Sequence, residues 1–139
     1  SQALLESGFE LYGVDASRSL VEEFRRRFPR AHVAHEAVED SAFFNRTFNA
    51  VVAVGLMFLL SPAVQEALVH RVASVLHAGG RFLFTAPEQA CSWVDVLTGQ
   101  RSHSVGWEHY ERVARNVGFT LAATYRDEGD NHYFDFVKQ

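Results

Sequence analysis

An α/β fold, doubly wound around a mostly parallel sheet and closed by an antiparallel C-terminal hairpin, follows from three features of the sequence. Strand-like apolar runs alternate with helical periodicities through the first two thirds of the chain, the order that builds strand–helix–strand units. The run at 50–54 is continuously apolar, and 81–86 holds the unbroken apolar stretch 82–84, as in parallel strands covered on both faces. Two last runs, 119–125 and 133–137, flank a 126–132 segment whose Asp, Gly and Asn content suits a tight antiparallel connection.

The elements justify that class in order. Residues 1–7 read as the last turns of a helix with Leu4 and Leu5 inward, Gly8 as terminator and Ser1 as a candidate cap. Residues 10–14 form a strand. Ser19 and Glu22 then have capping-box spacing, and Leu20, Val21, Phe24 and Phe28 recur at helical intervals until Pro29, with Arg25, Arg26 and Arg27 on the solvated face. A short strand at 32–34, an acidic turn at 36–40 and a Phe-rich loop lead to the 50–54 strand. Ser61 caps the next helix, Pro62 occupies its first position, and Val64, Leu68, Val72, Val75 and Leu76 share one face up to Gly79 and Gly80. After Pro87, residues 88–106 lack periodicity and read as a long loop of the kind that carries function. A final helix at 107–117 places Tyr110, Val113, Ala114 and Val117 on one stripe and stops at Gly118.

Composition bounds the function. The 139 residues predict one domain, given roughly 150 residues per domain. A hydrophobic fraction of 47% supports a real core, and 13 basic against 17 acidic residues (net −4) argues against a nucleic-acid partner. The longest apolar stretch, 50–60, falls well short of the roughly 20 residues that span a bilayer, so no membrane partner is expected. Cys91 is the single cysteine, which excludes an internal disulfide and, with no basic segment and apolar run at the N-terminus, fits a reducing, cytoplasmic setting. No metal site is expected: His32 and His35 point to opposite faces of a strand, and neither HExxH nor CxxC spacing occurs. No GxSxG elbow is present for covalent hydrolysis. A homo-oligomer is compatible with this composition.

In open parallel sheets, ligands bind beyond the carboxyl ends of the strands, which directs attention to four places. Asp15, at the end of Gly13-Val14-Asp15-Ala16-Ser17, suits the two hydroxyls of a ribose; a helix-entry cap is the alternative. Glu36-Ala37-Val38-Glu39-Asp40 suits an exocyclic purine amine, or is a solvated acidic turn. Gly55-Leu56-Met57-Phe58 allows close backbone approach, with core packing the alternative for its large side chains. The segment after Pro87, carrying Cys91, Trp93, Asp95, Arg101, His103 and Trp107, is placed to lie over a substrate.

These motifs, in this order, resemble the class I S-adenosylmethionine-dependent methyltransferases, of the small bacterial type with a Rossmann-like sheet. Asp15 and Ala16 match the second-strand motif whose acid holds the cofactor ribose, and Glu36 and Ala37 match the pair beside the adenine. Phe48-Asn49-Ala50-Val51-Val52 resembles the fourth-strand motif with Asn49 where an Asp is usual, and Leu76-His77-Ala78-Gly79-Gly80-Arg81 resembles the turn before the fifth strand. Gly55 and Leu56 complete the cofactor set. The segments 93–99 and 127–133 are also similar to those of small bacterial methyltransferases.

The resemblance implies one methyltransferase-like domain over 1–139 that is N-terminally incomplete: the first strand and its glycine-rich loop would precede Ser1, and poor cofactor affinity is expected without them. It further implies residues 88–106 on the substrate side, S-adenosylmethionine as cofactor, a small-molecule acceptor, and His132, His103 or Tyr133 as candidates for any base, the catalytic residue itself being unassigned. Two rivals remain: a noncatalytic Rossmann-like partner domain, and a nicotinamide-dependent oxidoreductase, against which the closing hairpin argues.

Overall fold

The computed structural model describes residues 2–139, and the chain divides into two compact units, one up to Asn45 and one from Arg46 on. The first unit holds α1 (Gln2–Glu6), β1 (Tyr12–Asp15), α2 (Arg18–Arg27) and β2 (His32–His35). β1 and β2 pair in parallel, with Asp15 opposite His35. The second unit holds β3 (Phe48–Ala53), α3 (Pro62–Val75), β4 (Leu76–Thr85), β5 (Ala90–Val94), β6 (Arg101–Val105), α4 (Trp107–Asn116), β7 (Phe119–Arg126) and β8 (His132–Lys138). Its main sheet runs β3-β4-β8-β7, with β3 and β4 parallel and β8 antiparallel to both β4 and β7. The α/β, Rossmann-like architecture and the closing antiparallel hairpin are therefore present as expected.

Aromatic pairing across β4 and β8 forms the core of the second unit. Phe82 lies opposite Phe136 and Phe84 opposite Phe134, and all four are at most 1% exposed. Alternation along both strands sends these rings to one face, where Phe84 stacks on Phe134 at 5.2 Å and takes the edge of Tyr110 from α4 at 5.1 Å. The opposite face carries Leu83 and Asp135, the latter paired with Arg81 at 2.8 Å, and Val52 on β3 is 51% exposed. In the second unit the apolar cover is thus strongest on the aromatic face, where the continuously apolar runs predicted cover on both.

Several boundaries differ from the sequence reading for local reasons. The cap of α2 is Ser17, not Ser19: the Ser17 hydroxyl accepts from the Leu20 amide, so the helix begins at Arg18. Helix α3 begins at Pro62 behind Ser61 as expected, but ends at Val75, not at Gly79 and Gly80. Leu76 is already extended, and the Lys138 ammonium donates to the carbonyls of Ala73 and Leu76, satisfying acceptors that would otherwise demand another turn. The residues between Leu76 and Arg81 bulge past β3, where Phe48 pairs with Leu76 and Ala50 with Arg81. Leu4 is 37% exposed, contrary to its inward assignment, and the cap assigned to Ser1 lies outside the described residues.

Residues 88–106 are not a loop. Within them β5 and β6 pair antiparallel, Ala90 opposite Val105 through Val94 opposite Arg101. Asp95 closes the turn, its amide donating to Gln100 and its carboxylate accepting from the amides of Leu97 and Thr98. No helix among the described residues is long and apolar enough to cross a membrane.

Phe84 touches both Phe134 and Tyr110, and its removal leaves a cavity at the centre of the ring cluster. Phe84→Ala is expected to destabilise the protein by about 3–5 kcal/mol, read as a lowered urea midpoint at unchanged slope.

Candidate functional site

Two acids stand side by side at the carboxyl edge of the β1–β2 sheet. Parallel pairing brings the strand exits together, and the Glu36 amide donates to the Asp15 carbonyl at 3.0 Å. The exposed Asp15 carboxylate accepts from the Ser17 amide through Oδ1 at 2.8 Å, while no hydrogen bond to Oδ2 occurs among the described residues. Ser17, not Asp15, is the helix cap, so Asp15 fixes the entry of α2 and keeps one carboxylate oxygen directed outward. Ala16 is held by His35, whose Nε2–H donates to the Ala16 carbonyl at 2.9 Å. Glu36 is held by the fully buried Ser41, whose hydroxyl donates to Oε1 at 2.8 Å and itself accepts from the Phe43 amide.

The chain then passes through three consecutive non-glycine residues in the left-handed region, Phe43, Phe44 and Asn45, with φ of 48°, 59° and 52°. Such conformations are disfavoured for residues bearing a Cβ and persist where the surroundings over-determine them. Phe43 is buried, and the edge of Phe44 meets the Tyr12 ring at 5.0 Å. The strained run follows directly on the segment that fixes Glu36. Ala37 precedes the 3-10 turn Val38–Asp40 in extended backbone, leaving small side-chain bulk beside the Glu36 carboxylate.

In the second unit, Gly55 and Leu56 follow β3. Gly55 has φ +72°, and a Cβ there would meet nothing within 4 Å, so its backbone is open to close approach. Its amide donates to Thr85 Oγ1 at 2.9 Å, tying the exit of β3 to the exit of β4. Of the apolar residues behind it, Met57 is fully buried core, whereas Phe58 faces a cavity.

That cavity, of about 430 Å³, lies within the second unit beyond the carboxyl end of β4. Residues 85–89 line it on one side, Phe58, Cys91 and Trp93 on another, and Arg126 with residues 130–132 of the β7–β8 turn on a third. Phe58 and Trp93 approach to 5.6 Å between ring centroids. Arg126 bridges Glu88 at 3.2 Å and Asp130 at 3.5 Å. Both ring nitrogens of His132 are buried and lack a hydrogen-bond partner.

The three base candidates separate here. His132 lines the cavity. Tyr133 turns away: its hydroxyl donates to Asp127 at 2.9 Å and its ring stacks on Tyr125. That hydrogen bond to a carboxylate holds the Tyr133 phenol above its ordinary pKa, while hydrogen bonds from Asn131 hold Asp127 below the usual carboxylate range. His103 does not line the cavity; its carbonyl accepts from the buried Gln65. The sequence reading missed Gln65, Ser41 and His35, the polar side chains that hold the strand exits and the hairpin in place.

Gln65 fastens the hairpin that walls the cavity. At 1% exposure, its Nε2 donates to the carbonyls of Leu60 at 2.9 Å and His103 at 3.0 Å, and its Oε1 accepts from the Tyr110 hydroxyl at 2.6 Å. Burial pushes the Tyr110 phenol up, which keeps it protonated as that donor. Ser104 adds a second tie, donating to the Pro87 carbonyl at 2.7 Å and accepting from the Gly106 amide. Gly106 has φ +85°, and a Cβ there would meet the Ala90 backbone at 2.9 Å, so glycine is required where the hairpin closes on itself.

Parallel strand exits bearing paired acids, followed by a mixed sheet closed by an antiparallel hairpin, define a doubly wound α/β class. Comparison with known proteins places the chain within it. The family described as a methyltransferase domain matches residues 1–80, more than half of the chain. The chain belongs to this methyltransferase family, and its fold is that of the class I S-adenosylmethionine-dependent enzymes. Among solved structures, a glycopeptide N-methyltransferase, MtfA, complexed with S-adenosyl-L-homocysteine is 17% identical, with a TM-score of 0.76 over 98% of this chain and 76% of that one. An S-adenosylmethionine-dependent methyltransferase from Clostridium acetobutylicum is 10% identical, with a TM-score of 0.79 over 99% and 78%. The 1,6-didemethyltoxoflavin-N1-methyltransferase of Burkholderia thailandensis, with 1,6-didemethyltoxoflavin and S-adenosylhomocysteine bound, is 16% identical, with a TM-score of 0.75 over 99% and 65%. At these identities the likeness is one of fold. No curated protein matches the sequence.

Replacing Gln65 by Leu orphans the Leu60 and His103 carbonyls and the Tyr110 hydroxyl. At about 1–3 kcal/mol for a buried unsatisfied group, Gln65→Leu is expected to lower stability by at least about 2 kcal/mol. Amide hydrogen exchange should accelerate more in β5 and β6 than in β4.

Proposed function

We propose that the protein transfers a methyl group from S-adenosylmethionine to a small-molecule acceptor. The observation that carries this reading is the pair of acids on consecutive parallel strand ends, one with a carboxylate oxygen directed outward and the other fixed by a buried serine. The donor set fits a nucleoside. Asp15 presents an acceptor to the two ribose hydroxyls, Glu36 to an exocyclic amine, and Ala16 and Ala37 leave room for the sugar and base. Gly55 and Leu56 contribute open backbone and an apolar side chain at the exit of β3.

Bound S-adenosylmethionine would supply a methyl group already activated by its sulfonium, so the protein needs little covalent chemistry. In the first unit the strand-end acids would hold the donor's nucleoside; in the second unit the cavity beside residues 85–89, walled by Phe58 and Trp93, has the size of a small-molecule site. Of the base candidates, His132 is the one that lines the cavity, with both ring nitrogens buried and without a hydrogen-bond partner. Tyr133 does not line the cavity, and its hydroxyl donates to Asp127. The hairpin over 88–106 accordingly serves the substrate side, and the protein works in the cytoplasm on a soluble acceptor.

The test is calorimetric titration of S-adenosylhomocysteine into the full-length protein and its Asp15→Ala variant. Loss of charge-assisted hydrogen bonds, worth about 1.5–3 kcal/mol, should weaken binding about tenfold or more. Unchanged affinity in the variant would remove Asp15 from the site. Absence of binding by the natural protein would favour the noncatalytic reading, and a preference for NADH the oxidoreductase.

A further inference from the structure

Resting on the methyl-transfer reading, we infer that Ser41 is a positioning residue for base recognition. By tethering one oxygen of Glu36, it makes the exit of β2 select a 6-aminopurine nucleoside over its 6-oxopurine counterpart.

The direction of the Ser41 hydroxyl is settled by its partners. The Phe43 amide stands 3.0 Å from Ser41 Oγ and can only donate, so it occupies an acceptor position of that oxygen. The hydroxyl hydrogen is given to Glu36 Oε1 at 2.8 Å. Ser41 is fully buried, so bulk water does not compete for that hydrogen, and a Glu36 side chain that swung away would leave a buried donor without its receiver.

The backbone around the hydroxyl is equally fixed. The Ser41 amide donates to the Val38 carbonyl at 3.3 Å, and the Asn45 amide to the Ala42 carbonyl at 3.0 Å. The left-handed residues Phe43, Phe44 and Asn45 are anchored within the same unit by burial of Phe43 and by the Phe44 edge against the Tyr12 ring. A conformation of this kind is held by its surroundings, and the Phe43 amide that points at Ser41 is part of it.

The consequence is chemical. No hydrogen bond to Glu36 Oε2 occurs among the described residues, so on this half-buried side chain Oε2 is the oxygen left for a ligand. A carboxylate free to swing follows a donor wherever it lies, whether the exocyclic amine of a 6-aminopurine or the ring N–H of a 6-oxopurine. A tethered one offers an acceptor at a single place. A 6-oxo group set before it brings two acceptors together with no hydrogen between them, the mismatch by which a polar site rejects an analogue. The same tether gives a directional consequence for Glu36→Gln. The Ser41 hydrogen retains the side-chain oxygen, and the amide NH2 takes the place of Oε2, turning an acceptor into a donor.

The test compares S-adenosylhomocysteine with S-inosylhomocysteine by calorimetry on the full-length protein. The natural protein should prefer the adenosyl ligand by about tenfold or more. Ser41→Ala frees the carboxylate and should bring the two affinities within about threefold, whereas a purely structural role would weaken both ligands alike. Glu36→Gln should invert the preference, and adding Ser41→Ala to it, which lets the amide flip, should abolish the inversion. Equal affinities in the natural protein, or an unchanged preference in folded Ser41→Ala, would overturn the inference. If Ser41→Ala fails to fold, Glu36→Gln decides alone, and absence of an inosyl preference there overturns it. Failure of the natural protein to bind either ligand would overturn the methyl-transfer reading itself, whereas binding with an adenosyl preference that the variants leave unmoved removes only the role of Ser41.

Discussion

The buried carboxamide of Gln65 is the constraint on which the second unit's cavity depends. It sits on α3 and reaches the exit of β3 through Leu60, the hairpin through His103 and helix α4 through Tyr110. An amide at 1% exposure is tolerated because both its hydrogens and its oxygen are used. The same arrangement makes the position unforgiving, since an apolar replacement would strand partners on three elements at once. The aromatic ladder of β4 and β8 supplies the bulk of the burial, and Gln65 sets where the hairpin stands against it. With the hairpin displaced, Trp93 would leave Phe58 and the cavity would lose a wall.

A different economy governs the first unit. Its sheet has two strands, and its functional edge consists of short polar connections: Asp15 to the Ser17 amide, His35 to the Ala16 carbonyl, Ser41 to Glu36. Each fixes the orientation of a strand-end group without filling the space in front of it. The left-handed run at Phe43, Phe44 and Asn45 begins two residues after Ser41, which places backbone strain close to the hydroxyl that orients Glu36. The buried Ser41 orients the Glu36 carboxylate, and the exposed His35 ring holds the Ala16 carbonyl.

How legible this was in the sequence depended on which force built each part. Helices α3 and α4 and the closing β7–β8 hairpin were readable because amphipathic spacing, the Ser-Pro start of α3 and the Gly stop of α4 report burial and capping directly. The Asp15 and Glu36 positions were readable as acids at strand ends. The β5–β6 hairpin was not, because its buried inward residues include Ser102 and Ser104, and the latter is buried through hydrogen bonds to backbone instead of apolar contact. A hydrophobic pattern cannot reveal a strand whose buried side is polar. The end of α3 at Val75 was hidden for a related reason, since its last carbonyls are satisfied by Lys138, distant in sequence. Among His132, His103 and Tyr133 the choice turned on strand register and on Asp127, neither of which composition reports.

The central claim is that the carboxyl edge of the β1–β2 sheet binds the nucleoside part of a sulfonium methyl donor. The most direct measurement is a two-dimensional amide NMR titration of the isotopically labelled full-length protein with S-adenosylhomocysteine. The account predicts that the largest shifts fall on the amides of Asp15, Ala16, Ser17, Glu36 and Ala37. Saturable shifts confined to other segments, with those amides unmoved, would contradict it.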